Sequence, residues 1–223
     1  MKVLIFGATG MVGQGVLREC LLAPDVSQVT AVGRSATPQQ DAKLTQLVHP
    51  DLTTLDAVET QLRGFDACFF CLGVSSLGMS EADYRRLTYD LTLAVARTLS
   101  RNNPAMSFAY VSGAGTDSSE RGRSMWARVK GKTENDLLKL PFARVYLFRP
   151  GVIQPLHKVR SKTKLYHLTY ALLGPVLSAA KRLFPNHVVT SEEMGQAMLA
   201  AARGGSKSAV LEVADIARLA RSA

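Results

Sequence analysis

Gly7, Gly10 and Gly13, within KVLIFGATGMVGQGV (residues 2–16), have the type and spacing to hold a phosphate through the backbone alone. Gly7 lets the chain turn sharply. Gly10 lets an anion approach the main chain, and Gly13 lets a helix lie close on the strand before it. The surrounding residues fit that arrangement. Val3–Phe6 is a short apolar run, and Val12, Val16, Leu17 and Leu21 recur at helical spacing. Strand, tight turn and helix follow in succession. Unpaired N–H groups and the positive end of the helix dipole then converge on one point. A dinucleotide pyrophosphate is the expected occupant.

A second position bears on the ribose of that ligand. In such a site an acidic residue after the second strand binds the 2′-hydroxyl. The chain instead reads AVGRSATP, with Arg34 after Gly33 and no Asp or Glu between Val26 and Gln40. A guanidinium pairs with a 2′-phosphate, which a carboxylate would repel. The expected cofactor is therefore NADP. Asp51 and Leu52, after the third strand, are candidates for holding the adenine, with a loop-capping role for Asp51 as the other reading. Cys68 and Cys71 form a C-x-x-C. Residues three apart on a strand face opposite ways, so structural thiols are expected, not a redox pair. The four histidines show no metal-ligand spacing.

The elements that must position these residues alternate. Strands are expected at Val29–Val32, Leu44–Val48, Ala67–Leu72, Ser107–Val111, Arg144–Phe148 and Ala209–Val213. Helices are expected at Leu55–Leu62, Ser80–Leu99, Arg123–Leu140 and Glu192–Ala202, with Ser80 as an N-cap. Repeated β-α-β units imply an α/β fold with a doubly wound parallel sheet, Rossmann-like, in a single domain over residues 1–223. At 223 residues and 47% hydrophobic the chain can bury a sizeable core. It has three cysteines, no secretory pattern at its first residues and no apolar run of spanning length. A cytoplasmic location is the corresponding expectation.

The series GATGMVG, GR, PDL, CLG, VSG, a Lys-bearing helix and FRPG resembles the short-chain dehydrogenase/reductase superfamily. The likeness is strongest to its atypical members, including bacterial proteins labelled NAD-dependent epimerase/dehydratase and the small Tat-interacting-protein-like NADPH binders. It covers residues 1–155 well and 185–223 loosely. The resemblance implies that Thr9, Gly10, Met11 and Val12 cradle the pyrophosphate. It implies that Cys71, Leu72 and Gly73 line the adenosine ribose, and that Pro150, Gly151 and Val152 border the nicotinamide amide. It further implies that Ser112, in YVSGAG, holds a substrate carbonyl and that Lys130 holds the nicotinamide ribose. The superfamily's proton-carrying Tyr falls at Trp126, and no tyrosine occurs between Val111 and Arg144. An indole N–H donates but does not titrate usefully. Three readings follow: cofactor binding without catalysis, a substitute acid among Tyr84, Tyr89, Tyr110, Tyr166 and Tyr170, or a reaction that needs no protein proton.

The formal net charge of +9 is concentrated. Leu137–Ser191 contains no Asp or Glu but nine Lys and Arg, as many as the net charge. This span includes a basic, apolar stretch, 149–190, expected as a helical insertion after the sixth strand on the substrate side. It could cover the pocket or form a subunit interface, meet an anionic substrate, or lie on an anionic membrane surface. The absence of a nucleic-acid module argues against a nucleic-acid partner. An NADP-dependent oxidoreductase or epimerase-like enzyme on an apolar small molecule is one functional expectation. A non-catalytic NADP(H)-responsive regulator or scaffold is the other. The sequence assigns no oligomeric state.

Overall fold

The computed structural model describes residues 1–156 and 188–222. Its centre is a seven-stranded, wholly parallel sheet. The strands are β1 (Lys2–Phe6), β2 (Gln28–Gly33), β3 (Leu44–Val48), β4 (Ala67–Phe70), β5 (Ser107–Val111), β6 (Arg144–Arg149) and, at the far edge, Val210–Glu212. They run in the spatial order β3-β2-β1-β4-β5-β6 and then Val210–Glu212. The direction of winding reverses between β1 and β4, where Phe6 lies opposite Phe70. In open α/β sheets this switch point opens a crevice at the carboxyl ends of the strands.

Alternation along the strands builds two cores. Val3 and Ile5 of β1 join one face with Val16, Leu17, Cys20 and Met198. Leu4 and Phe6 join the other with Phe70, Leu99, Phe108 and Leu147. A strand buried on both faces must be apolar almost throughout, as β1 and β4 are. Cys68 lies in the second core, whereas Cys71 packs against the first, and both are free thiols. The C-x-x-C thus straddles the sheet.

Three expected elements differ in detail. The strand expected to reach Leu72 ends at Phe70, which frees Cys71–Gly73 to form the wall of the crevice. The helix expected over Ser80–Leu99 begins at α2 (Glu81–Arg85), where the Ser80 side chain accepts from the Asp83 N–H. It then makes one π-helical turn, Arg86–Asp90, and continues as α3 (Leu91–Asn102). The segment Leu55–Leu62 is a 3₁₀ helix over Asp56–Leu62.

Helix α1 (Met11–Leu22) and α4 (Met125–Leu137) flank the crevice. The edges of the 149–190 stretch form β7 (Val152–Gln154) and β8 (Val188–Thr190), a short parallel pair that sequence periodicity did not reveal. Residues 157–187 of that stretch, with Tyr166 and Tyr170 and the expected helical insertion, lie outside the described residues. β8 leads directly into α5 (Ser191–Ala202), capped by a reciprocal Thr190–Glu193 box. A last helix, α6 (Val213–Ala220), follows the edge strand and was also absent from the expectation.

Candidate functional site

Two clefts meet at the switch point, sharing Leu72. The first, of about 360 Å³, is lined by Gly7–Thr9, Ala31–Ser35, Thr37, Leu52 and Leu72. The second, of about 540 Å³, is lined by Met11, Val12, Cys71–Val74, Val111, Ser112, Lys130 and Gly151–Ile153. Together they make one trough over the carboxyl ends of β1, β2, β4 and β5, with the glycine turn at its middle.

The turn is fixed by its own geometry. Gly7 has φ of +87°, and an added Cβ there would lie 2.9 Å from the Cys71 and Leu72 backbone. At Gly13 an added Cβ would lie 2.1 Å from the Gly7 carbonyl, so only glycine allows helix and turn to pack this closely. Gly10 is different. Its φ is −82°, and only the Gly7 oxygen, at 3.3 Å, crowds a Cβ there. Gly73 has nothing within 4 Å of that position. The protein's own packing demands little of these two glycines. Gly10 caps α1 without a side-chain hydrogen bond, and the first turn holds no acidic residue, so the helix start offers bare N–H groups. The opposite end of α1 is satisfied from within: the Lys43 ammonium donates to the Leu21 and Ala23 carbonyls at 3.1 and 2.8 Å. These features fit a dinucleotide.

Arg34 stands exposed on the rim of the smaller cleft. Neither a hydrogen bond nor an ion pair ties its guanidinium to another described residue, and no carboxylate lines the cleft. Asp51 lies just outside. Its carboxylate accepts from the Thr53 N–H at 2.8 Å, the Thr53 hydroxyl at 2.6 Å and the Thr54 hydroxyl at 3.2 Å. Those bonds hold the carboxyl below its usual range and give it the loop-capping role. Leu52, next to it, lines the cleft.

In the larger cleft each polar group is held by a neighbouring strand. The Cys71 N–H donates to the Phe6 carbonyl at 2.8 Å, and the Ser112 N–H to the Phe148 carbonyl at 2.7 Å. The Ala114 N–H donates to the Pro150 carbonyl at 2.8 Å, which brings Gly151 and Val152 beside Ser112. Pro150 itself is buried behind them. The Thr116 hydroxyl donates to the Gly113 carbonyl at 2.7 Å, so the 3.0 Å contact between Ser112 and Thr116 has the Ser112 O–H as donor. Rotation of that hydroxyl is enough to aim it into the cleft.

Lys130 reaches the cleft from α4. Its ammonium donates to the Val111 carbonyl at 3.3 Å and contacts the Tyr110 hydroxyl at 3.5 Å. It lies 5.2 Å from the centre of the Tyr110 ring. Burial brings its pKa down to about 8 despite the opposing pull of Glu134. One turn further on, Glu134 is itself buried and ion-paired with Arg149 of β6, whose Nη2 also donates to Ser118 at 2.6 Å. That pair locks α4 against the sheet and sets the height of Lys130.

Trp126 does not line either cleft. Its half-buried indole packs over the loop after Ser112, 3.8 and 3.7 Å from Cβ positions at Gly113 and Gly115. The tyrosines named as substitutes are placed otherwise. Tyr110 is 1% exposed, behind Lys130, and burial raises its pKa. Tyr84 is also buried. Tyr89 donates to Asp136 at 2.7 Å and faces a separate small cleft with Arg85 and Lys132. None of these three lines the trough. Cys71 does line it, and burial pushes its thiol up to about 12.

A doubly wound sheet with a glycine turn at its switch point defines a dinucleotide-binding protein of Rossmann type. The sequence matches the NAD(P)H-binding family over residues 7–137, and the chain belongs to that family. It is 28% identical over 225 residues to the mitochondrial protein FMP52 of Eremothecium gossypii, covering 99% of this chain and 98% of that one. It is 29% identical over 154 residues to HTATIP2 of Rattus norvegicus, covering 68% of this chain and 62% of that protein. Among solved structures, UDP-N-acetylglucosamine 4-epimerase from Methanobrevibacter ruminantium superposes with a TM-score of 0.69 at 17% identity, covering 95% of this chain and 75% of that one. WbmF of Bordetella bronchiseptica, solved with NAD⁺, superposes with a TM-score of 0.67 at 15% identity, covering 99% of this chain and 77% of that one. The resemblance to atypical short-chain dehydrogenases/reductases thus holds. The cytoplasmic expectation does not: FMP52 of E. gossypii and of Saccharomyces cerevisiae are named as mitochondrial proteins. A low cysteine count is equally compatible with that compartment.

Proposed function

We propose that the protein binds NADP(H) across the two clefts and reduces a carbonyl group of an apolar small molecule, or oxidises the corresponding alcohol. The observation that carries this reading is the shared cleft. Ser112 and Lys130 open into the same space as the first turn of α1 and Gly151–Val152, so a substrate oxygen there meets a hydroxyl and an ammonium together. The adenosine half occupies the smaller cleft, with the unpaired Arg34 guanidinium on the 2′-phosphate. The α1 N-terminus and Gly10 receive the pyrophosphate. Nicotinamide supplies the hydride when bound. Ser112 turns its hydroxyl toward the substrate oxygen and orients it, and the Lys130 ammonium meets the same oxygen with the N–H left free by Val111 and Tyr110. Val74, Val152 and Ile153 give the cleft an apolar wall on one side, suited to an apolar substrate.

The experiment is a pair of measurements on the purified protein. Fluorescence titration with NADPH and with NADH reads the cofactor preference, and NADPH oxidation over a panel of aldehydes, ketones and quinones reads turnover. Tighter NADPH binding with turnover of at least one carbonyl is the expected result. Equal affinities would remove the role given to Arg34. NADPH binding with no turnover across the panel would leave a cofactor-responsive binding protein.

A further inference from the structure

The larger cleft has a chemical shortage. Reduction of a carbonyl needs a proton as well as a hydride, and Trp126, at the position of the missing phenol, neither titrates near neutral pH nor lines the cleft. Among the described residues that do line it, only Cys71 and Lys130 are titratable, and the Cys71 thiol is pushed up to about 12 by burial. The remaining polar group, Ser112, is a hydroxyl that can pass a hydrogen bond but not hold a charge.

We propose that Lys130 carries the proton for this reaction, donating it from its ammonium to the substrate oxygen and taking it back in the reverse direction. The inference rests on the oxidoreductase reading above.

The geometry suits the task in both protonation states. An ammonium has three N–H groups. Two point into the protein, toward the Val111 carbonyl and the Tyr110 hydroxyl, and the third is left for the cleft that Lys130 lines. After donation the neutral amine keeps two N–H groups for the same two partners and turns its lone pair to the cleft. The proton can therefore leave without breaking either internal contact. The surroundings hold the charge only loosely. From β5 the group faces the ring and hydroxyl of Tyr110, with Tyr84 of α2 behind it. From the segment after β4, Cys71 lines the same cleft with its thiol packed against the first core. On its own helix the nearest carboxylate, Glu134, is committed to Arg149. Burial among these groups brings Lys130 down to about 8, close to where proton exchange in either direction is easiest.

The step balances. The substrate carbon gains a hydride, two electrons and one proton, from NADPH. The oxygen gains one proton from Lys130, the carbonyl π bond becomes an O–H bond, and NADP⁺ and a neutral lysine remain. Water from the open side of the cleft reprotonates the amine. Because reduction needs the ammonium, its rate falls as pH rises through about 8, and oxidation shows the opposite trend.

The test has two readouts. The first needs no cofactor: pH-resolved acetylation of the intact protein, followed by peptide mass spectrometry, gives the titration midpoint of each lysine. Lys130 is expected near 8, and a midpoint at its ordinary 10.5 overturns the proposal. The second compares the native protein with Lys130→Arg at saturating NADPH, since arginine keeps the cation but does not titrate in this range. Turnover is expected to fall by about 10²–10⁴-fold and the pH step near 8 to vanish. Undiminished turnover in Lys130→Arg, with the pH step intact, overturns it. A native protein that binds no NADPH sinks the oxidoreductase reading itself, whereas an ordinary Lys130 midpoint in a protein that binds NADPH sinks only the proton role.

Discussion

Arg34 lines the trough and Trp126 does not, so the two residues carry different expectations. Arg34 projects from the end of β2 with neither a hydrogen bond nor an ion pair to any described residue, so its removal disturbs no internal contact. Arg34→Ala is expected to weaken NADPH binding by about 1.5–3 kcal/mol, the scale of a lost charge-assisted contact, and to leave NADH binding nearly unchanged. Isothermal titration with both nucleotides checks this, and an equal loss for the two would show that Arg34 serves the shared part of the ligand. Trp126 packs over Gly113 and Gly115 beside Ser112. Because Trp126 lines neither cleft, Trp126→Tyr places a phenol over that loop and away from the reacting oxygen. NADPH-dependent reduction of small carbonyl compounds is expected to change by less than about 10-fold, short of the 10²-fold or more that one positioned acid supplies. A rise of about 10²-fold, lost again in the Trp126→Tyr, Lys130→Met double variant, would show that residue 126 reaches the reacting oxygen after all. Stopped absorbance assays at saturating NADPH separate these cases.

At the scale of elements, glycines do two different jobs on α1. Gly15 faces α5, where an added Cβ would meet the Ser191 carbonyl at 2.3 Å. The returning contact is equally tight, with Gly195 of α5 against Glu19 of α1. Gly10 meets only mild crowding and stands at the start of α1, where we place the pyrophosphate. The two alanine variants should therefore fail in opposite ways. Gly15→Ala is expected to destabilise the fold by about 1–3 kcal/mol, as overpacking does, with NADPH affinity kept in the folded fraction. Gly10→Ala is expected to fold with a near-native urea midpoint and to lose NADPH binding. Chemical denaturation alongside nucleotide titration distinguishes the pair. If Gly10→Ala bound NADPH normally, the pyrophosphate could not lie against this turn.

On the scale of the whole molecule, the trough spans both halves of the sheet, from Arg34 beside β2 to Val152 beyond β6. A ligand filling it touches elements on either side of the switch point and stabilises them together. NADPH at 100 times its Kd is expected to add about 2.7 kcal/mol. For a domain of this size that corresponds to a rise in Tm of about 5–10 °C. Differential scanning calorimetry over a series of NADPH concentrations reads it directly. A single transition that moves upward as a unit is the expected form, and a transition that splits, with only one part moving, would show that the halves bind and melt separately.

The order of strands and helices up to β6 was readable in the sequence because β1, β2, β4 and β5 are buried on both faces and each major helix buries one, while the exposed edge strand β3 still carries Leu44, Leu47 and Val48. Such residues must be apolar at fixed periods whatever else the chain does. The glycine turn was readable for a related reason: Gly7 at φ +87° and Gly13 against a carbonyl are local requirements that no other residue meets. What the sequence left open depended on neighbours far apart in the chain. The β7–β8 pair is too short to leave a periodic signal, whereas α6 does carry one, with Ile216, Ala217 and Ala220 on its buried face, directly after the edge strand. The π turn at Arg86–Asp90 breaks a helix whose pattern looks continuous. Asp51 went to a loop because Thr53 and Thr54 stand within reach. The fourth strand, expected to reach Leu72, stops at Phe70 and leaves Cys71 in the cleft wall. Most of all, the pKa of Lys130 is not a property of its helix. It is lowered by burial beside Tyr110, 20 residues away, while Arg149 occupies the carboxylate that would otherwise hold the charge. Local covalent and steric rules fixed the elements and the phosphate turn, and only the packing of β5, β6 and α4 decided which group in the cleft can give up a proton.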